Sequence, residues 1–263
     1  MEHRAASVRA EALPHFELAQ RVLYEDEDII VINKPSDCVV QPTVGVASGT
    51  LVNALMYYLQ NSDAASVVSM RECVVHRLDR DTTGCIVLAK NDVAFALLQH
   101  CFEERRVCKQ YLCVAQGKPL TSQMDVNTVI DRYPNHPSKM MAAPLHLSDH
   151  SAKSAKSRVY ALGWDDNLSL VRVAIFTGRT HQIRVHMQHL GMPIIGDALY
   201  GLKDVNAIAQ EQHGISRPLL HAHCLSFPHP MYPDKTVSVE APLPEDFHEI
   251  AGHIVESLWP STP

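Results

Sequence analysis

Apolar positions in this chain follow two rhythms, short continuous runs and helical stripes, and the two alternate from end to end. DIIVIN (28–33) is an apolar run closed by Lys34-Pro35, which predicts a strand ending in a turn. In TLVNALMYYLQ (50–60), Leu51, Ala54, Leu55, Tyr58 and Leu59 recur at helical spacing behind Thr50 as N-cap. A second helix is predicted over 92–104, with Val93, Ala96, Leu97 and Cys101 on its apolar face. KQYLCVAQG (109–117) and LSLVRVAIF (168–176) read as strands through alternation and β-branching. A helix over 180–190 has Thr180 as N-cap, Gly191 as stop and Pro193 beyond; Ile183, Met187 and Leu190 form its narrow stripe, with His181, Arg184 and Gln188 on the adjoining face. The last helix, over 245–258, should bury Phe247, Ile250, Ala251, Ile254 and Val255. Residues 131–156, with three prolines and little periodicity, read as a long loop that is either a binding insertion or plain surface.

Strands joined by both hairpin-like turns and helices predict an α+β fold with a mixed, largely antiparallel sheet. A doubly wound nucleotide fold is disfavoured, because the chain has no Gly-x-Gly-x-x-Gly and no Walker-type loop. At 263 residues and 46% apolar it can build a sizeable core. No apolar run approaches the ~18 residues that cross a bilayer, and the N-terminus does not resemble a secretory or transit signal, so the chain reads as a cytoplasmic protein, with an organellar location left open. Seven cysteines, none spaced Cys-x-x-Cys, fit reduced structural thiols.

The net charge of −6 by itself argues against a polyanionic partner, but its distribution changes that reading. Residues 1–30 hold three Lys/Arg against seven Asp/Glu, whereas 151–190 hold six against two. Positive charge gathered on one face suffices for nucleic acid. Four segments also carry more charge and glycine than structure demands: HRLDRDTTG (76–84), FEERRVCKQYLCVAQG (102–117), TGRTHQIRVHMQHLGMPIIGDALYG (177–201) and LLHAHCLSFPHP (219–230). Together they offer a carboxylate in a polar turn, a tyrosine on a strand and an arginine on a helix flank. A nucleophilic carboxylate must be ionised and aimed, and a guanidinium beside it serves both needs.

HRLDRDTTG resembles the catalytic motif of the RluA family of pseudouridine synthases, His-Arg-Leu-Asp-x-x-Thr-Ser-Gly, with Thr83 where serine is common. The other three segments, and VINKPSDCVVQPT (31–43) upstream, follow in the family's order. The resemblance spans roughly residues 20 to 245. It implies the pseudouridine synthase fold, a long mixed sheet with flanking helices around a central RNA-binding cleft. It also implies isomerisation of uridine in structured transfer or ribosomal RNA, by base flipping and without metal or organic cofactor. On this resemblance Asp79 is the catalytic aspartate, Tyr111 the active-site tyrosine, Arg184 the partner of the aspartate, and Arg77 the arginine that fills the space of the flipped uridine. His76, Arg80, Thr82, Lys109, Arg179 and His181, from the same segments, are expected to face the substrate. The expected enzyme is monomeric, with residues 1–20 an extension lacking an S4-type RNA-binding module and 21–263 the catalytic domain. Asp37, where the family usually has glycine, and Gln41, where histidine is frequent, depart from the pattern. Two rivals are an RNA-binding relative that has lost catalysis and a metal-dependent hydrolase built on HAH (221–223), which lacks further ligands at supporting spacing.

Overall fold

The structure, a computed structural model, describes residues 16–60, 73–136, 138–145 and 152–258. The expected N-terminal extension lies largely outside them; in its described part, Phe16 and Leu18 pack against the main core. The fold is α+β, as the alternation predicted. Its sheet has ten strands: β1 (Val22–Glu25), β2 (Ile29–Lys34), β3 (Thr83–Ala89), β4 (Cys108–Gln116), β5 (Gln123–Arg132), β6 (Met140–Ala143), β7 (Lys153–Trp164), β8 (Leu168–Ile175), β9 (Leu220–Pro228) and β10 (Thr236–Glu240). Their spatial order is β1-β2-β3-β9-β4-β8-β7-β5-β6, with β10 also on β9. Every named pairing is antiparallel except β3 with β9.

The continuous apolar runs exist because both faces of the central strands are covered. Ile30 and Ile32 of β2, with Ile86 and Leu88 of β3, pack toward α1 (Leu51–Gln60). Ile29, Val31, Cys85, Val87 and Ala89 face the other way, onto α2 (Asp92–Glu103). Strand β4 divides likewise. Tyr111, Cys113 and Ala115 share a core with Ile183 and Met187 of α3 (Gln182–His189), whereas Leu112 and Val114 meet Phe247 and Ala251 of α5 (Glu245–Leu258). A further helix, α4 (Lys203–His213), packs on α5. The period of two along β4 therefore decides that Tyr111 looks toward α3.

Three details differ from expectation. Helix α2 buries Ala94, Leu98 and Cys101, and leaves Val93 and Leu97 exposed. Apolar residues line more than one face of that helix, and the sheet selects the row continued by Phe95 and Phe102. Residues 131–156 are no open loop throughout, since β6 pairs with β5 and β7 begins at Lys153. Helix α3 starts at Gln182, not after a Thr180 cap; His181 precedes it in the left-handed region (φ 56°).

The parallel contact of β3 with β9 is only two residues long, Thr83 opposite His221 and Gly84 opposite Ala222. Beyond it β3 diverges, and β10 takes its place along Cys224–Pro228. Gly84 has φ 105°, and a Cβ there would lie 2.3 Å from the Ala222 carbonyl oxygen. Both constraints demand glycine. Gly84→Ala is expected to lower stability by on the order of 3 kcal/mol in urea unfolding, while Gly117→Ala, at φ 85° but with nothing within 4 Å, should cost about 1 kcal/mol. Equal losses at the two positions would show that the close approach contributes nothing.

Candidate active site

Between the polar turn before β3, strand β4 and the start of α3 lies a cavity of about 300 Å³. Nine of the ten residues expected at a site line it: His76, Arg77, Asp79, Thr82, Lys109, Tyr111, Arg179, His181 and Arg184. Arg80 is absent from the lining; it turns outward to an exposed ion pair with Asp37, its Nε 2.7 Å from Oδ1. Asp37 adopts φ 55°, which explains why glycine suits that position.

The turn carrying Asp79 is held from below. Lys34 is fully buried, and its Nζ donates to the carbonyls of Pro35 (2.9 Å), Cys38 (2.8 Å) and Arg80 (2.8 Å). Burial lowers the pKa of this amine to about 8. The Cys38 amide also donates to the Arg80 carbonyl, the Thr82 amide to that of Asp79, and Arg217 Nη1 to that of Asp81. His76 accepts the Val87 amide at Nε2 (3.1 Å) and stacks on Phe102; burial takes its pKa down to about 3, so the ring is a neutral acceptor.

Arg184 Nη1 reaches Asp79 Oδ2 at 3.3 Å. Its Nε and Nη2 form a fork onto Asp197, at 2.7 and 2.9 Å. Asp197 is wholly buried and also accepts the amides of Leu199 and Tyr200. The Tyr200 ring lies 5.0 Å from the guanidinium carbon, and its hydroxyl accepts the Met140 amide and sits 2.9 Å from His181 Nδ1. His181 Nε2 in turn is 4.0 Å from Asp79 Oδ2. Burial draws the His181 pKa down against the pull of Asp79. Asp197 and Tyr200 thus belong to the site although neither was among the expected residues. The signal was available in the motif quoted above, since GDALYG places a carboxylate and an aromatic just after the arginine helix.

Helix α3 is buried along Gln182–Met187, and the polar side chains of that stretch, Gln182, Arg184 and His186, are all partnered. Gln182 Oε1 accepts the Thr177 hydroxyl and the Arg179 amide, tying the helix to the loop before it, while its Nε2 donates to Lys156 O and Ser157 Oγ. His186 lies between Ser157 Oγ (2.8 Å) and Thr128 Oγ1 (3.0 Å). Tyr111 is nearly buried, and its hydroxyl has no hydrogen-bond partner among the described residues. Burial, and secondly the charge of Asp79, raise its pKa above the phenol range, so it is neutral at neutral pH. Arg77 Nη2 crosses the mouth of the cavity to Thr180 Oγ1 (2.9 Å), and Arg179 Nε donates to Ser154 O.

Histidines 221 and 223 do not form a metal centre with each other: His221 is bound to Thr83 Oγ1 and both face the Ala241 carbonyl. Asp26, Asp28 and His229 do bring ligand atoms within 4.8 Å. They lie away from the cavity, and Asp26 is already engaged by His229, Tyr24 and two amides.

The human RNA Pseudouridylate Synthase Domain Containing 1 superposes with TM-score 0.66 at 27% identity, over 92% of this chain and 86% of that one. The human RNA Pseudouridylate Synthase Domain Containing 4 shares the fold (TM-score 0.69, 24% identity, 89% and 94% covered). Ribosomal large subunit pseudouridine synthase D of Xylella fastidiosa is 37% identical over 255 residues, 95% of this chain and 73% of the relative. Residues 28–189 match the family model described as RNA pseudouridylate synthase, and the chain belongs to that family. It is an RNA pseudouridine synthase, an isomerase, as its motifs implied. No helix among the described residues is long and apolar enough to cross a membrane.

If Asp197 aims Arg184, then Asp197→Asn, which puts an amide donor against the fork, should lower the single-turnover rate by about 10- to 100-fold and leave RNA affinity within about twofold. An unchanged rate would show that Arg184 keeps its direction without it.

Proposed function

We propose that the enzyme isomerises a uridine of ribosomal RNA, flipped into the cavity, with Asp79 as nucleophile. The observation that carries this reading is the single guanidinium of Arg184 spanning a buried carboxylate and the cavity-facing Asp79. The buried Asp197 fixes the fork, so Arg184 has one nitrogen left to direct Asp79. Neither C1′ nor C6 of a stacked uridine is open to a carboxylate, so the base must leave its helix. Asp79 bonds to the nucleotide as N1–C1′ breaks, the uracil turns within the pocket, C5 joins C1′ as the bond to Asp79 is released, and the C5 proton departs while N1 takes up a proton. Tyr111 takes part as a neutral phenol, a wall and donor for the uracil. That makes the Asp79 carboxylate the better acceptor for the C5 proton.

Ribosomal RNA as substrate is supported by relatives named for the ribosomal large subunit. A cytoplasmic location is supported by the cysteines, five of the seven being buried in the core, which suits a reducing compartment. Arg77, exposed at the mouth and bonded to Thr180, is assigned the place vacated by the flipped base.

Asp79→Asn should lower tritium release from [5-³H]uridine RNA by about 10⁴-fold or more with RNA binding retained. Residual turnover, with deamidation excluded by mass spectrometry, would refute the nucleophile. Arg77→Ala should slow single turnover on a folded stem-loop by about tenfold more than on the same uridine in an unstructured strand, because unstacking is what the arginine offsets. Equal losses on both, recovered at high RNA concentration, would make Arg77 a phosphate contact only.

A further inference from the structure

A second cavity, of about 640 Å³, adjoins the first and shares Phe102, Lys109, Ile175, Gly178 and Arg179 with it. Its lining adds Arg105, Arg106 and Lys156, giving five cations against one carboxylate, Glu103, in a protein of net charge −6. Among the described residues, the side chains of Arg105, Arg106 and Lys156 have no carboxylate within salt-bridge distance. Cations at a helix C-terminus are favourable in themselves, which would account for Arg105 and Arg106 after α2. It does not account for Lys156 on β7 or for Arg179.

The backbone adds a second observation. Helix α2 ends in paired closing bonds, Arg106 N–H to Cys101 O and Arg105 N–H to Phe102 O, with Arg105 in the left-handed region at φ 59°. That position ordinarily takes glycine. An arginine there accepts a conformational cost of about 1 kcal/mol and sets a cation on the cavity wall. Phe176, 40% exposed, stands at the same cavity with Lys156 Nζ 5.5 Å from its ring centroid. Cations interleaved with an exposed aromatic ring are the features that hold single-stranded nucleic acid by phosphate contact and base stacking.

We propose that the second cavity binds the nucleotide next to the one isomerised, its phosphate on Lys109 and Arg179 at the shared wall and its base against Phe176. Arg105, Arg106 and Lys156 then take the phosphates beyond. The proposal rests on the first cavity being the uridine site, and it gives the RNA strand one direction of exit, past the end of α2.

Cys108 is exposed and lines this cavity, so it reports occupancy. An oligouridylate of about ten nucleotides should slow alkylation of Cys108 by N-ethylmaleimide at least about fivefold, read peptide by peptide, whereas uridine 5′-monophosphate should not. In the Arg106→Ala/Lys156→Ala protein, oligouridylate affinity should fall about tenfold and its log–log salt slope should flatten by about 1.4. Absence of oligouridylate binding, undiminished Cys108 reactivity in its presence, or an unchanged affinity and salt slope in the double variant would overturn the assignment. Failure of the uridine-site reading shows up separately, as turnover by Asp79→Asn, and does not alter protection of Cys108.

Discussion

Everything at the active site depends on two backbones touching at Gly84 and Ala222. The strands β1–β3 carry the Asp79 turn, and the remaining strands carry α3 with Arg184; this two-residue parallel contact joins them. A side chain at Gly84 would have to displace the Ala222 carbonyl, and the turn five residues earlier would move with it. Lys34 extends the constraint by binding three carbonyls of the turn and its neighbour from inside the protein. A buried amine with three good acceptors is costly to desolvate but leaves little freedom, and the lowered pKa near 8 records that cost.

The second requirement is electrostatic. A buried arginine is tolerated only when its charge and donors are matched, and Asp197 matches two nitrogens so completely that Arg184 cannot swing. Asp79, partly exposed to the cavity, receives the remaining interaction at 3.3 Å, a longer and weaker contact. Such asymmetry leaves Asp79 freer to change partners than the guanidinium is to move, which suits the nucleophile's role proposed for it. The neutral histidines and Gln182 around α3 are scaffolding for this arrangement: each buried polar atom there has a partner, so the stretch Gln182–Met187 can be enclosed despite its polar sequence.

An acidic chain that acts on RNA has to concentrate its positive charge. The cations here come from the end of α2, from β4, β7 and the approach to α3, segments far apart in sequence that meet around two adjoining cavities. Among the described residues, the acidic ones of 16–30 and 234–256 do not line either cavity. Local field, not net charge, governs what approaches.

The α+β class, the central strands, the α1 and α5 faces, and most of the side chains that line the cavity were legible in the sequence. Continuous apolar runs and motif spacing are local properties, and HRLDRDTTG names its own aspartate and glycine. What the sequence could not decide was which of several equivalent local choices the packing would take. Helix α2 has apolar residues on two faces, and only the sheet selects Ala94, Leu98 and Cys101 over Val93 and Leu97. Thr180 reads as a cap, yet the helix begins after a left-handed His181 without a side-chain cap, and Thr180 is bonded to Arg77. Arg80 reads like its neighbour Arg77, but the turn directs it to Asp37. Asp197 and Tyr200 matter through contacts with residues 13 and 19 positions earlier, made by the fold of the loop after α3. Periodicity along a chain encodes burial, whereas the direction of a charged side chain is set by the partners that tertiary structure brings within a hydrogen bond.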